Sequence, residues 1–374
     1  MNPDTLGLYV HIPFCKKKCN YCDFCSFADL DGGARARYLR ALTEEISSYG
    51  GEEHPPVDTV FLGGGTPSLL TPTEIEDLFS VLRGTFRILQ GAEVSAEANP
   101  GTLDREKIEA FRRVGVNRLS IGLQSIHDGE LAALGRIHTY ADFLDAYHLA
   151  REGGIENIGV DLMYAFPTQT AASFHETLAA VTALSPEHIS AYGLIVEDGT
   201  PFGENRERLL LPSEDEEVEM YEDACHTLAA AGYRHYEVSN YAKPGFECRH
   251  NLRYWHEEEY LGFGVASHSY YRGERFANSR DFLAYSQGKC KQYRTKELID
   301  RENEAEEYTM LALRTSEGID LSLYEKRFSR PFLSGREDAV RRFVAAGVAR
   351  LADGHFALTE RGFYIGNSLT AELL

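Results

Sequence analysis

A chain of 374 residues, 43% of them hydrophobic, carries enough apolar material for one large core and a smaller second one. Its formal charge of -20 argues against nucleic acid as a partner, because a phosphate backbone is bound through clustered Lys and Arg, and acidic solubility is the plain reading. No apolar run approaches the ~20 residues needed to span a bilayer, and MNPDTLGLYV lacks the features of a secretory signal; a cytoplasmic location is expected, with peripheral membrane contact left open.

From residue 8 onward, short apolar segments alternate with amphipathic ones. LYVHIP precedes the helical ARYLRALTEEISSYG, and VDTVFLGG precedes TPTEIEDLFSVLRGTF, whose Thr-Pro-Thr-Glu start reads as a helix cap. AEVSAEANP leads into DREKIEAFRRVG, and NRLSIGLQ into DGELAALG and ADFLDAYHLAREGG. IGVDLMYAFP leads into SFHETLAAVTALS, and HISAYGLIV into SEDEEVEMYEDACHTLAAAGY. Six strand-helix units in strict alternation predict a parallel sheet with helices outside. Polar residues cluster at the strand ends, as they do where a (β/α) barrel gathers its site on one face. The fold class expected is therefore α/β, a partial (β/α)6 barrel of TIM type over residues 1–234. Residues 235–299 are aromatic- and Gly-rich and read as strand and ordered loops that close the barrel region. Residues 300–374 follow the order of a winged helix, a smaller α+β domain; without a pronounced basic face, docking or a lid is its expected role.

Cys15, Cys19, Cys22 and Cys25 follow the first strand. Thiolates so close together repel unless protonated, oxidised or metal-bound, and soft sulfur selects zinc, copper(I) or iron-sulfur clusters. Zinc sites usually draw paired knuckles from separate hairpins, whereas Cys225, Cys248 and Cys290 are scattered. Three thiolates in one loop suit a [4Fe-4S] cluster with one open iron, with structural zinc or plain core cysteines as alternatives. Cys25 could be a fourth ligand, a redox thiol or a buried side chain. Gly63-Gly64-Gly65-Thr66 suggests close approach of a ligand to the backbone, against the alternative of a tight turn. Glu97, Gln124, Arg136 and Asp161 offer hydrogen bonds to a charged small molecule; for any one alone a surface or loop residue is the commoner case, and their shared barrel face favours the ligand. His250, in HNLRYW two residues after Cys248, is either a satisfied polar group in an aromatic corner or a haem contact. His11 reads as an orienting residue beneath the cysteine loop.

Tyr9-x-His11-Ile12-Pro13-Phe14-Cys15-x3-Cys19-x-Tyr21-Cys22 resembles the radical S-adenosylmethionine (SAM) enzymes, in the branch of oxygen-independent coproporphyrinogen III dehydrogenase (HemN). GGGTPS, ANPGT, NRLSIGLQS, LGRIHT, VDLMYAFP and HNLRYW extend the resemblance over nearly the whole chain. It implies that Cys15, Cys19 and Cys22 hold a [4Fe-4S] cluster. It also implies that Tyr9, Tyr21, Gly64, Gly65, Thr66, Glu97, Gln124, Arg136, Asp161 and His268 line the SAM sites, and that an electron donor such as flavodoxin or ferredoxin serves the cluster. Two departures matter: Phe24 stands where the dehydrogenase has a further cysteine, with Cys25 one place late, and only eight residues precede Tyr9. Both, with SAYGLIVEDGTPF and SNYAKPGFECRHN, are similar to the HemW subgroup, proposed haem chaperones that pass haem to respiratory acceptors. That resemblance makes His250 the leading candidate haem contact, with Cys248 behind it, and leaves coproporphyrinogen dehydrogenation as the alternative activity.

Overall fold

The computed structural model describes residues 4–28, 30–289 and 294–374, so Cys290 lies outside the described residues. Six strands, β1 (Leu6–Ile12), β2 (Val57–Gly64), β3 (Ile88–Ala98), β4 (Arg118–Gln124), β5 (Asn157–Tyr164) and β6 (His188–Gly193), lie side by side in chain order and pair in parallel. Helices return the chain over the outside: α1 (Gly32–Ser47), α2 (Pro72–Thr85), α3 (Arg105–Arg113), α4 (Asp128–Ala133), α5 (Tyr140–Glu152), α6 (Ala171–Leu184) and α7 (Glu214–Ala230). Most begin on a side-chain cap that satisfies their first amides. The Thr-Pro-Thr-Glu start of α2 forms the reciprocal capping box of Thr71 and Glu74.

The strands differ in character on their two faces although both are buried. Along β4, Leu119, Ile121 and Leu123 are buried outward in the main apolar core. Arg118, Ser120, Gly122 and Gln124 alternate with them and face the interior cavity. Inward glycines and serines leave that interior space unfilled.

The 235–299 segment does more than close the barrel region. One part forms the hairpin β7 (Arg234–Glu237) and β8 (Asn240–Ala242), added antiparallel to β6. Another part supplies a seventh parallel strand, β9 (Tyr260–Phe263), beside β1. An antiparallel extension follows as β10 (His268–Tyr271), β11 (Glu274–Ala277) and β12 (Thr295–Leu298). The resulting twelve-stranded sheet runs from β12 to β7 without joining those ends. The strand expected over HISAYGLIV ends at Gly193. Leu194 and Val196 leave the sheet to pack on Leu134, Met163, Phe166 and Phe202.

Two buried charged groups fasten this late segment. Glu45 of α1 accepts from Gly264 N (3.0 Å), Tyr285 Oη (2.6 Å), Asn278 Nδ2 (2.7 Å) and Arg294 Nη2 (3.0 Å). Arg253, in the helix α8 (Arg249–Trp255), donates to Asp58 of β2 at 2.5 Å and to Thr5 and Glu259 carbonyls at 3.1 Å. Gly7 has no side chain because a Cβ there would lie 2.4 Å from Arg253 Cδ.

The C-terminal unit contains α9 (Arg301–Ala312), α10 (Leu321–Phe328), α11 (Glu337–Ala345) and an antiparallel sheet of β13 (Ile319–Asp320), β14 (Ala349–Ala352) and β15 (His355–Leu358). This is the winged-helix order. It joins the barrel through Val238 N to Arg314 O (2.9 Å), Ser316 N to Tyr236 O (3.0 Å) and the Arg327–Glu257 ion pair (2.7 Å). Its described residues contribute nothing to the walls of the main cavity, so the expected lid role has no contact to support it there.

No helix among the described residues is long and apolar enough to cross a membrane.

Candidate metal and cofactor site

The carboxyl ends of the parallel strands open into a cavity of about 660 Å³. Among its walls are Tyr9, Tyr21, Gly64, Gly65, Thr66, Glu97, Gln124, Arg136, Asp161 and His250, together with Cys15, Cys19 and Cys22. The structure thus brings to one place the three expected cluster cysteines, His250 and nine of the ten residues expected to line the SAM sites. His268 lies apart: it is exposed on β10 and lines a neighbouring cleft of about 420 Å³ with Cys25, Arg280 and Tyr260.

The three cysteines are placed by the loop between β1 and α1. Thr66 Oγ1 donates to Cys15 Sγ at 3.8 Å and Arg136 Nη1 to Cys19 Sγ at 3.6 Å. Cys22 N donates to Cys19 O at 3.3 Å. Burial pushes the Cys15 and Cys22 thiols upward, so they hold their protons until a metal takes them. A hydroxyl and a guanidinium already aimed at two sulfurs are the outer hydrogen bonds that a thiolate-bound cluster uses. Three thiols on one wall with such donors fit a three-cysteine iron-sulfur cluster.

Packing explains the glycine run more fully than ligand approach alone. A Cβ on Gly64, at φ +116°, would lie 2.6 Å from the His11 ring, and one on Gly65 would lie 2.7 Å from Phe14 O and 3.0 Å from Cys15 Sγ. His11 in turn lies beneath the loop, with Nε2 2.8 Å from Cys25 O and Nδ1 2.9 Å from Tyr9 Oη. Burial lowers its pKa and keeps the ring neutral. Cys25 faces away from the other three, with Sγ 3.8 Å from Arg280 O, and is absent from the main cavity wall.

Across from the thiols lies a polar wall. Gly64 N donates to Glu97 at 3.0 Å, and burial followed by the nearby Asp161 charge pushes the Glu97 carboxyl up to about 8. Asp161 Oδ1 accepts from Ser120 Oγ (3.0 Å) and Ser190 Oγ (2.8 Å), one hydroxyl from each neighbouring strand. Arg136 Nη2 donates to Gly122 O (2.7 Å) and Asn99 Oδ1 (2.5 Å), and Asn99 Nδ2 donates to Thr66 Oγ1 (2.8 Å). Gln124 ends β4 at φ +73°, a left-handed conformation uncommon for a non-glycine residue and frequent at functional sites. Carboxylates, an amide, a guanidinium and backbone groups together can hold a zwitterion.

His250 and Cys248 occupy unlike positions. His250 Nδ1 lies 2.9 Å from Thr59 Oγ1 and Nε2 2.9 Å from Tyr254 Oη, while its ring stacks on Phe61. Both nitrogens are therefore engaged, and burial with Arg253 and Arg118 nearby pushes the imidazole down to about 3. Cys248 is buried off the cavity wall beside Tyr236 and Ala242, donates to Glu93 at 3.6 Å and is pushed up to about 12 by burial. Its rank behind His250 as a haem contact has no geometric support, because the thiol is enclosed and holds its proton. His268 has no side-chain hydrogen bond among the described residues.

Sequence reasoning did not single out Arg118, Ser120, Ser190 or Thr59. Arg118 is 2% exposed, lines the cavity, and its Nε has no hydrogen-bond partner among the described residues. The signal was present as a period-two polar stripe, Arg118, Ser120, Gly122 and Gln124, within an otherwise apolar strand.

A partial six-unit barrel with three loop thiols over a polar cavity defines the radical SAM class. Residues 9–181 match the Radical SAM superfamily and residues 299–365 the HemN C-terminal domain. The solved structure of coproporphyrinogen III oxidase (HemN) from Escherichia coli, a radical SAM enzyme, has the same fold at a TM-score of 0.85 and 23% identity, covering 100% of this chain and 91% of that one. Heme chaperone HemW of Bacillus subtilis (strain 168) is 34% identical over 376 residues, 98% of each chain. Heme chaperone HemW of Lactococcus lactis subsp. lactis (strain IL1403) is also 34% identical, over 98% of this chain and 96% of that one, and its Escherichia coli (strain K12) counterpart is 38% identical over 70% and 69%. The chain belongs to the heme chaperone HemW family.

Proposed function

We propose that this protein is a cytoplasmic haem chaperone that binds haem on a radical SAM scaffold and delivers it to an acceptor protein, a respiratory one by resemblance. The observation that carries this reading over porphyrinogen oxidation is the cysteine loop. Three thiols face the cavity, Cys25 turns away, and Phe24 stands 67% exposed at the mouth shared with the second cleft, where the dehydrogenase has a cysteine. An exposed aromatic ring there offers a flat apolar surface to a macrocycle.

In this reading Cys15, Cys19 and Cys22 hold a [4Fe-4S] cluster, Thr66 and Arg136 donate to its sulfurs, and Glu97, Gln124, Asp161 and Arg136 orient SAM. When bound, the cluster supplies one-electron reduction of the SAM sulfonium, fed by a donor such as flavodoxin or ferredoxin. The buried guanidinium of Arg118 gives the cavity floor a positive charge for carboxylates. His250 is the proposed haem contact, and ligation at Nε2 must displace Tyr254.

The test is anaerobic reconstitution, haem titration, and assay of SAM cleavage with and without coproporphyrinogen. Saturable haem binding with no protoporphyrinogen formed supports the chaperone; porphyrinogen turnover or absence of haem binding overturns it. Tyr254→Phe frees Nε2 and should tighten haem binding about fivefold, the equivalent of one net hydrogen bond of ~1 kcal/mol. His250→Ala should abolish it. Parental affinity in both variants would remove His250 from the haem site and direct attention to the ring of His268 in the neighbouring cleft.

A further inference from the structure

Away from the cavity, three metal-ligating side chains from three separate elements converge where the C-terminal unit meets the barrel. Cys225 is on α7, His235 is the second residue of β7, and Glu360 opens the short helix Glu360–Tyr364 of the C-terminal unit. Sγ of Cys225, a ring nitrogen of His235 and a carboxylate oxygen of Glu360 all lie within 4.8 Å of one another. We propose that they form a zinc site that fastens the C-terminal unit to the barrel, a role separate from the cluster and its cosubstrate.

The His235 tautomer is set by a backbone partner. Nε2 lies 3.3 Å from Val238 O, and a carbonyl can only accept, so Nε2 carries the proton and Nδ1 presents its lone pair. That lone pair faces Cys225 Sγ at 3.9 Å. Tetrahedral zinc, with Zn–S near 2.3 Å and Zn–N near 2.05 Å, sets sulfur and nitrogen about 3.6 Å apart, so this pair needs to close by only a few tenths of an ångström, and the exposed Glu360 carboxylate, within 4.8 Å of both, swings in to complete the set. The surroundings resemble an outer ligand shell. The Val238 carbonyl orients the imidazole, Tyr241 Oη lies 3.3 Å from Sγ where it can donate to a thiolate, and the Tyr241 ring stacks on His235 at 4.1 Å. Tyr221 Oη donates to the backbone carbonyl of Glu360 at 2.8 Å, which holds the ligand-bearing residue in place. Thiolate, imidazole and carboxylate select zinc over magnesium or calcium. Cys225 releases its proton to solvent on binding, and the exposed Glu360 side leaves the fourth position to water.

The test uses full-length protein with its iron-sulfur cluster loaded, so that Cys15, Cys19 and Cys22 are occupied, and in parallel the full-length triple alanine variant of those cysteines. Each is equilibrated with Zn(II), desalted and analysed for metal, with zinc-edge X-ray absorption as a second readout. One zinc per chain beyond the cluster, with one sulfur in its shell, is expected in both. Cys225→Ser and His235→Gln should lose it, and the exposed Glu360→Gln, which leaves packing intact, should weaken it roughly 10-fold or more. Zinc should also slow proteolytic separation of the C-terminal unit in the parent and not in Glu360→Gln. Absence of bound zinc, equal retention in all three variants, or zinc held without dependence on Glu360 would each overturn the proposal.

Discussion

Arg136 connects three parts of the site that come from distant stretches of sequence, so its replacement tests whether the cavity is one unit. Gly135, at φ +76°, turns the chain after α4, and Arg136 N is anchored on Leu131 O at 2.9 Å. From there one guanidinium reaches the end of β4 at Gly122 O, the end of β3 at Asn99 Oδ1 and the loop thiol of Cys19. Arg136→Met keeps the volume and removes every donor. Besides the weakly accepting Cys19 thiol, Gly122 O and Asn99 Oδ1 lose their partner, each at about 1 kcal/mol because the cavity admits water, so cluster-free protein should lose about 2 kcal/mol. With the cluster bound, Cys19 is a thiolate and the lost contact is charge-assisted, adding about 1.5–3 kcal/mol. The excess corresponds to roughly 10- to 150-fold weaker cluster retention. Iron and sulfide per chain after anaerobic reconstitution, chelator challenge, and melting with and without cluster measure the two parts separately. Arg136→Lys, which keeps the charge and loses the fork, should fall between. If Arg136→Met melts lower and yet holds its iron against chelator like the parent, the Cys19 contact has no part in cluster binding and the reasoning fails.

Gly65→Ala places a methyl 2.7 Å from Phe14 O and 3.0 Å from Cys15 Sγ; the chain should keep parental circular dichroism and lose most of its reconstituted iron, and normal loading would show that the loop has room. In ligand-free, cluster-free protein, Glu97 holds a proton up to about pH 8 that the unfolded chain releases near its usual 4.5. Its contribution to stability is therefore full below about 4.5 and lost as pH rises through about 8. Melting curves from pH 4.5 to 8.5 should show the parent losing stability relative to Glu97→Gln; parallel curves would refute the assignment. Arg253→Met leaves the buried Asp58 with only the part-exposed Arg249 guanidinium at 3.2 Å and should destabilise by about 3 kcal/mol in urea unfolding, with much of the loss recovered in the Asp58→Asn, Arg253→Met double variant; an additive double variant would separate the two residues.

The six units were legible because each strand is a short apolar run followed by a capped amphipathic helix, and the strand ends carried their polar residues in plain view. Two parts were not. The strand Tyr260–Phe263 is four residues inside an aromatic, glycine-rich stretch, and its partner is β1, some 250 residues earlier; no local periodicity announces such a pairing. The HNLRYW motif also carries more than its sequence announced. Its least conspicuous member, Arg253, is fully buried and staples β1 and β2, while His250 sits with both nitrogens engaged. A motif of functional appearance thus has structural work that only the three-dimensional partners reveal. Cys25 shows the same limit: spacing placed it beside the other cysteines, and a turn of the loop points it into the neighbouring cleft.

The unfilled interior has a further consequence. A closed eight-strand barrel is just wide enough for its own side chains to fill. Here the ends of the sheet do not join, and the inward positions hold Gly122, Ser120 and Ser190 in place of branched apolar residues. What remains is a cavity whose polar groups are only partly paired: Glu97 has one amide donor, and the Arg118 Nε has no partner among the described residues. Buried polar groups in that state favour whatever completes their hydrogen bonds. Cluster and cosubstrate binding should therefore stabilise the fold as well as equip it, by mass action on the native state. Since the C-terminal unit touches none of these walls, that stabilisation should reach the barrel first, leaving the docking of residues 299–374 to the contacts of Arg314, Ser316 and Arg327 and to the Cys225, His235 and Glu360 cluster.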